Sequence, residues 1–340
     1  MALERFAEAS VNYLEIRDCV RASSALSSLY NFNPKFEIRF EKLDTPISVA
    51  IWKTYHKELS TLILNSDIPD ERLRFFCTRL VMSANLFSAF HSSAFFRTGV
   101  VNINLNDTPA APGLAFCSNS ETHTLIPDFI YLSSKGYADL ANTILDQYIA
   151  FEDREPIAYW RGNSACRREG SHWRTMPRIR LCELATNKSH AALFDVGLSD
   201  IAQVTDAEKI EIIDAGFLKG FAPLESFLKC QYHIDIDGNS NSWPGLFQKL
   251  LLGGTIIKVS SALNFRQWYY DRLIPWQNYV PVETQMGDLV EKVIWLNKNQ
   301  EKAREIAIKA QMLGAELTYV GEVQMAVKAV HEAMLMHEYK

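Results

Sequence analysis

The strongest constraint on the fold lies between residues 192 and 259, where short apolar runs alternate with amphipathic ones: ALFDVGL, EKIEIIDAGF, YHIDID, LFQKLLL and TIIKV. Strand-length, β-branched runs separated by helical ones argue for parallel βαβ units, because a parallel neighbour needs a crossover long enough to hold a helix. The stretch HIDIDGNSNSWPGLFQKLLLGGTIIKV (233–259) carries the pattern most completely. Its strand ends at Gly238, Ser242 is placed to cap a helix, Pro244 suits a first turn, and Gly253 with Gly254 stop the helix before TIIKV. A loop leaving the carboxyl end of a strand and running into a helix N-terminus favours anions such as phosphate. Asp235 and Asp237, two apart on the strand, point the same way. They are read either as ligands for a divalent ion or as the polar end of a strand, with Asp237 capping the turn and Asp235 facing solvent or a basic neighbour.

Ahead of this region the texture is mixed. A helical start to about residue 30, a strand FEIRF, helical segments over 47–64 and 70–90, a strand VVNINL running into the loop NDTPAAPG, extended LAFCS and FIYLS, and a helical GYADLANTILDQYIAFED are expected. Helices are also expected over 287–313 and 322–337. In the last of these, Met325, Val327, Val330, Met334 and Leu335 form an apolar face that would pack it back on the protein. The division expected is 1–153, 154–315 and 316–340.

Residues 154–180, REPIAYWRGNSACRREGSHWRTMPRIR, hold seven arginines and no lysine. Arginine in preference to lysine points to multidentate recognition of phosphate or carboxylate. Arg167 and Arg168 read as a solvated basic face, whereas Arg161 ends an apolar run where a free charge would be costly. An RNA-binding module using Tyr159, Trp160 and Trp173 as stacking surfaces is the rival from another class. A formal charge of −5 counts against it, since general nucleic-acid affinity needs a basic surface.

AYWRGN, PRIRL, DIDGNSNSWPGLFQKLLLGGTIIKV, then WYYDRLIPWQNYVPV with DLVEKVIWL, in this order and spacing, resemble glycosyltransferase family 90 over roughly residues 100 to 315. That family includes bacterial lipopolysaccharide core glycosyltransferases, fungal capsule-associated proteins and animal protein O-glucosyltransferases, and the GNSNSW loop looks most like the bacterial branch. The resemblance implies an α/β, GT-B-like fold, two Rossmann-like domains facing a central cleft. It implies an inverting transfer of a hexose, glucose or galactose, from a UDP-sugar without a metal or other cofactor, so that Asp235 and Asp237 are a strand end. NLNDTP (104–109) matches the family's catalytic loop and makes Asp107 the base, while Ile126, Pro127 and Asp128 match the segment beside the donor sugar. Arg161, Gly162 and Asn163 fall on the donor-binding block, Arg178 on the diphosphate arginine, and Gly238, Asn239, Ser240, Asn241 and Ser242 on the phosphate loop. Animal members end that loop with an arginine where this chain has Ser242, Trp243 and Pro244, which leaves phosphate binding there to backbone amides and Ser242.

Glu283, after YVPV, is placed to meet the ribose hydroxyls. His123 and His233 sit beside apolar residues and read as structural, and Trp276 and Tyr279 as packing residues. The partners implied are a UDP-sugar and a lipid-linked lipopolysaccharide core glycan, with peripheral contact at the inner membrane and no nucleic acid; capsule polysaccharide and protein acceptors stay open. The first residues lack a secretory signal pattern, no run reaches the roughly 18 apolar residues of a membrane span, and the six cysteines are scattered. A cytoplasmic protein with reduced thiols is expected.

Overall fold

The computed structural model describes residues 35–56 and 59–338. The helix expected before residue 30 lies outside them. Two compact units emerge, one of Met1–Gly136 with Tyr319–Lys340 and one of Tyr137–Thr318.

The first unit carries β1 (Lys35–Glu41), β2 (Val49–His56), β3 (Leu59–Asn65), α1 (Asp70–Met82), α2 (Ala84–Ser92), β4 (Gly99–Asn104), β5 (Gly113–Ala115), β6 (His123–Leu125) and α3 (Phe129–Ser133). Its sheet runs β1-β3-β2-β4-β5-β6 and is parallel except at β2, which is antiparallel to both neighbours. Residues 47–64 are therefore a hairpin rather than the expected helix. β3 is buried nearly throughout, so its apolar run shows neither a period of two nor one of 3.6. Across the hairpin the Trp52 indole N–H donates to the Ser60 hydroxyl at 2.8 Å. FIYLS, expected as extended, forms α3 because the Asp128 carboxylate accepts from the amides of Ile130 (2.8 Å) and Tyr131 (2.9 Å), an N-cap that begins the turn.

The second unit carries α4 (Ala138–Asp146), β7 (Glu155–Asn163), α5 (Pro177–Thr186), β8 (Phe194–Asp200), α6 (Asp206–Asp214), β9 (Cys230–Asp235), α7 (Pro244–Leu251), β10 (Thr255–Val259), β11 (Val280–Val282), α8 (Leu289–Lys298) and α9 (Gln300–Glu316). The boundary falls near residue 137 rather than 153 because Ile144 of α4 is buried with Tyr159, Phe227 and Leu228. All five strands are parallel, in the order β11-β10-β9-β7-β8. Chain order reverses between β7 and β9, which makes the gap at their carboxyl ends the switch point of a doubly wound sheet. The helix expected over 287–313 is two, broken at Asn299, whose φ of −127° and ψ of 56° are not helical.

The last helix, α10 (Tyr319–Glu338), belongs to the first unit. Its buried face comprises Val323, Ala326, Val327, Val330, Ala333 and Met334, whereas Met325 is 56% exposed, contrary to the expected stripe. Gly99 of β4 makes room for it, since a Cβ there would lie 3.3 Å from that of Met334. Among the described residues no helix is long and apolar enough to cross a membrane.

Candidate functional site

The carboxyl end of β9 settles where the two aspartates point. Asp235 is fully buried, and its carboxylate oxygens accept from the ammonium groups of Lys249 on α7 (3.0 Å) and Lys258 on β10 (3.1 Å). Lys258 pairs directly with Asp235 in the strand register, which fixes this contact. Burial alone would raise the Asp235 pKa, but the two lysines outweigh it and hold the carboxyl well below its usual range. Asp235 thus meets two basic neighbours and not solvent. Asp237 lies 3.9 Å from the Lys258 ammonium, and burial pushes its pKa up. Among the described residues no group of three or more His, Cys, Asp or Glu side chains is arranged to hold a metal.

Arg178 occupies the switch point. Placed in the first turn of α5 behind Pro177, it donates from Nε to the Asp237 carbonyl (3.1 Å), from Nη2 to the Ile236 carbonyl (3.2 Å), and from Nη1 to the Asn163 carbonyl and side chain (3.1 and 2.9 Å). The guanidinium therefore ties the end of β7 to the end of β9. Gly238 packs closely beside it: a Cβ there would lie 3.1 Å from Nη2, so the guanidinium would have to shift. Gly162 is needed because the Trp160 ring lies over it, 2.7 Å from where a Cβ would be. Arg161 of the same block turns away from the strand end, donating to the Asp195 carboxylate on β8 (2.7 Å) and lying over the Tyr159 ring at 4.8 Å. Burial raises the Asp195 pKa, yet hydrogen bonds from Lys219 and Arg161 bring it below the ordinary value.

The loop after β9 is closed on itself, with the Gly238 amide donating to the Asn241 carbonyl (3.1 Å) and the Trp243 amide to the Asn241 side chain (2.6 Å). Ser240 and Asn241 are buried. The cap position of α7 falls on Trp243, at φ 51°, and not on Ser242, because Pro244 at the first position requires the preceding residue to leave the helical region. Asn239 accepts from the Gln203 side chain (3.0 Å), whose own oxygen accepts from the amides of Cys166 and Arg167 (2.9 and 3.0 Å). Arg167 is no solvated face: it pairs bidentately with Glu208 at 2.6 and 2.9 Å, which lowers that carboxyl to about 2. Glu283 is exposed just past β11, two strands from β9.

In the first unit the loop after β4 is tied by Asn104, which donates to the carbonyls of Ala111 and Leu114 and accepts from the amides of Ala110 and Ala111. That holds Asp107 so that its carboxylate accepts from Arg79 Nη2 at 2.7 Å. Arg79 also donates to the Leu105 carbonyl (2.8 Å) and lies over the rings of Phe75 (4.0 Å) and Phe129 (4.6 Å). Ile126, Pro127 and Asp128 are all buried, Asp128 as the cap of α3.

Sequence reasoning missed Lys249, Lys258, Gln203 and Arg79. For the lysines a signal existed: Lys249 lies among Leu246, Phe247 and Leu250 on the buried side of α7, and Lys258 inside TIIKV, so each needed a buried acid. His233 is structural as read. Its Nε2 donates to the Phe227 carbonyl at 2.8 Å, and burial together with the Arg154 charge lowers its pKa to about 3. The proton-poor fold is favoured above the ordinary value of 6.5, and this contribution is lost as pH falls from there toward the folded value. The His233 ring carbon resonances are therefore expected to stay constant in NMR spectra from about pH 8 to about pH 5; a midpoint near 6.5 would contradict the burial.

The fold and these edges define a doubly wound α/β unit, its switch point bridged by an arginine, joined to a second mixed-sheet unit. The model of Glycosyl transferase family 90 matches residues 100–332, more than half of the chain, and the chain belongs to that family. It is similar to Protein O-glucosyltransferase 3 of Mus musculus, 25% identical over 63% of this chain and 40% of the relative. With the Homo sapiens Protein O-glucosyltransferase 3 it is 29% identical over 41% of this chain and 26% of the relative. The chain thus spans two fifths or less of the length of these relatives. Among solved structures, Anabaena Alr3699/HepE in complex with UDP-glucose is 12% identical over 57% of this chain and 53% of that one, with a TM-score of 0.35, too low to bear on fold or function.

Proposed function

We propose that the chain is an inverting hexosyltransferase that takes glucose or galactose from a UDP-sugar and passes it to the core glycan of a lipopolysaccharide or lipooligosaccharide at the cytoplasmic face of the inner membrane. The observation that carries the donor half is Arg178, fixed at the switch point with the Asn163 and 238–242 backbone around it, where doubly wound sheets bind nucleotides. The one Arg178 N–H left over by its four hydrogen bonds and the amides of residues 239–242 meet the diphosphate, and Glu283 the ribose. Arg161, committed to Asp195, contributes by fixing β7 against β8 and not by touching phosphate.

Asp107 is the base that takes the acceptor hydroxyl proton late, as the new glycosidic bond forms, and Arg79 orients its carboxylate. Ile126 and Pro127 border the sugar, with Asp128 holding their segment by its cap. No metal is required in this scheme, a reading supported by the two ammonium groups that fill the Asp235 carboxylate. The burial of Tyr159, Trp160 and Trp173 removes the stacking surface that an RNA-binding role would need. A protein acceptor is the second reading, favoured by the names of the matched relatives.

Calorimetric titration with UDP in buffer containing EDTA is expected to give micromolar binding. Absence of binding up to millimolar UDP would overturn the donor assignment, and binding restored only by manganese would overturn metal independence. Incubation of labelled UDP-glucose and UDP-galactose with core oligosaccharide and with serine-containing protein domains then separates the two acceptors by which becomes labelled.

A further inference from the structure

The carboxyl end of β9 holds more buried charge than the proposed reaction has used. Three cations, Arg178, Lys249 and Lys258, surround two carboxylates, Asp235 and Asp237. Lys249 and Lys258 are 5% and 9% exposed, so their charges lie in low dielectric. A buried excess of one sign is costly unless an opposite charge arrives. Placement says where that charge would be. The Lys249 ammonium donates to the Gly245 carbonyl (3.2 Å), inside the first turn of α7, and a Cβ at Gly245 would be 3.3 Å from it and 3.5 Å from the Ser242 Cβ. The 238–243 loop therefore has Arg178 against Gly238 at one end and Lys249 beneath Ser242 and Gly245 at the other, with Lys258 beside Asp237.

We infer that Lys249 and Lys258, pinned by Asp235 beneath the 238–243 loop, form a buried cationic seat for the diphosphate of the nucleotide donor. The inference rests on the donor reading above and adds the residues that supply the charge. Both ammonium groups hold hydrogen bonds to Asp235, so they act on the phosphates through their field and not by direct contact. Fixed charges in a poorly screened environment need no reorganisation when the leaving diphosphate gains charge.

The test compares UDP with uridine, which lacks the phosphates, on wild type, Lys249→Met and Lys258→Met, with melting curves for each. In either variant UDP affinity is expected to fall at least about fivefold more than uridine affinity. A smaller difference in both, including a parallel loss for the two ligands, overturns the inference, because general damage to the fold weakens both. If neither variant folds, the salt dependence of wild type decides: buried cations are weakly screened, so UDP affinity should fall less than about fivefold between about 0.05 and about 0.5 M salt. A larger fall puts the binding charge on the surface and overturns the inference. Wild type that binds no UDP fails the donor reading itself, whereas wild type that binds while both variants match it removes only the lysines.

Discussion

Asp107→Asn is expected to lower sugar transfer by about 100- to 10,000-fold while leaving UDP affinity within about twofold. The amide keeps the size of the carboxylate but cannot take a proton from the attacking hydroxyl. It also loses the charge that Arg79 meets at 2.7 Å, so the comparison needs a control for position. Arg79→Lys supplies it: the charge stays, but the second bond to the Leu105 carbonyl and the stacking between Phe75 and Phe129 are lost. That variant should retain more transfer than Asp107→Asn. Transfer by Asp107→Asn at the wild-type rate would assign the base to another residue.

Asp235→Ala is expected to cost about 3–5 kcal/mol of stability, read from urea unfolding, because it leaves two buried ammonium groups facing each other without their shared acid. This is a large share of the roughly 5–15 kcal/mol that holds an ordinary domain together. The pH dependence has a definite sign. The Asp235 pKa is depressed in the fold, so its contribution is present above the ordinary carboxylate value and is lost as pH falls below that toward the folded one. Wild type should therefore lose stability with acid below about pH 4, and Asp235→Asn, which has no such proton to bind, should lose less over the same range. A loss under about 1 kcal/mol for Asp235→Ala would mean that the lysines leave the interior when their partner is gone.

The stretch 233–259 was legible because each of its signals is local: a strand-length apolar run, a glycine-ended loop, proline at a helix start and two glycines at its stop all act within a few residues. The first unit was less legible. β3 is covered on both faces and so loses the alternation that identifies a strand, and β2 was read together with it as one helical segment. Asp107 was found through the resemblance of its loop to a family pattern, but Arg79 lies 28 residues earlier and no spacing rule joins them. Lys249 and Lys258 lie on apolar faces, a signal of buried acids that the sequence carries by itself and that was passed over. Which acid they share was decided only by the tertiary structure, as was the turn of Arg161 toward Asp195. Partner choice depends on strand register and on which helix covers which strand end, and local periodicity encodes neither.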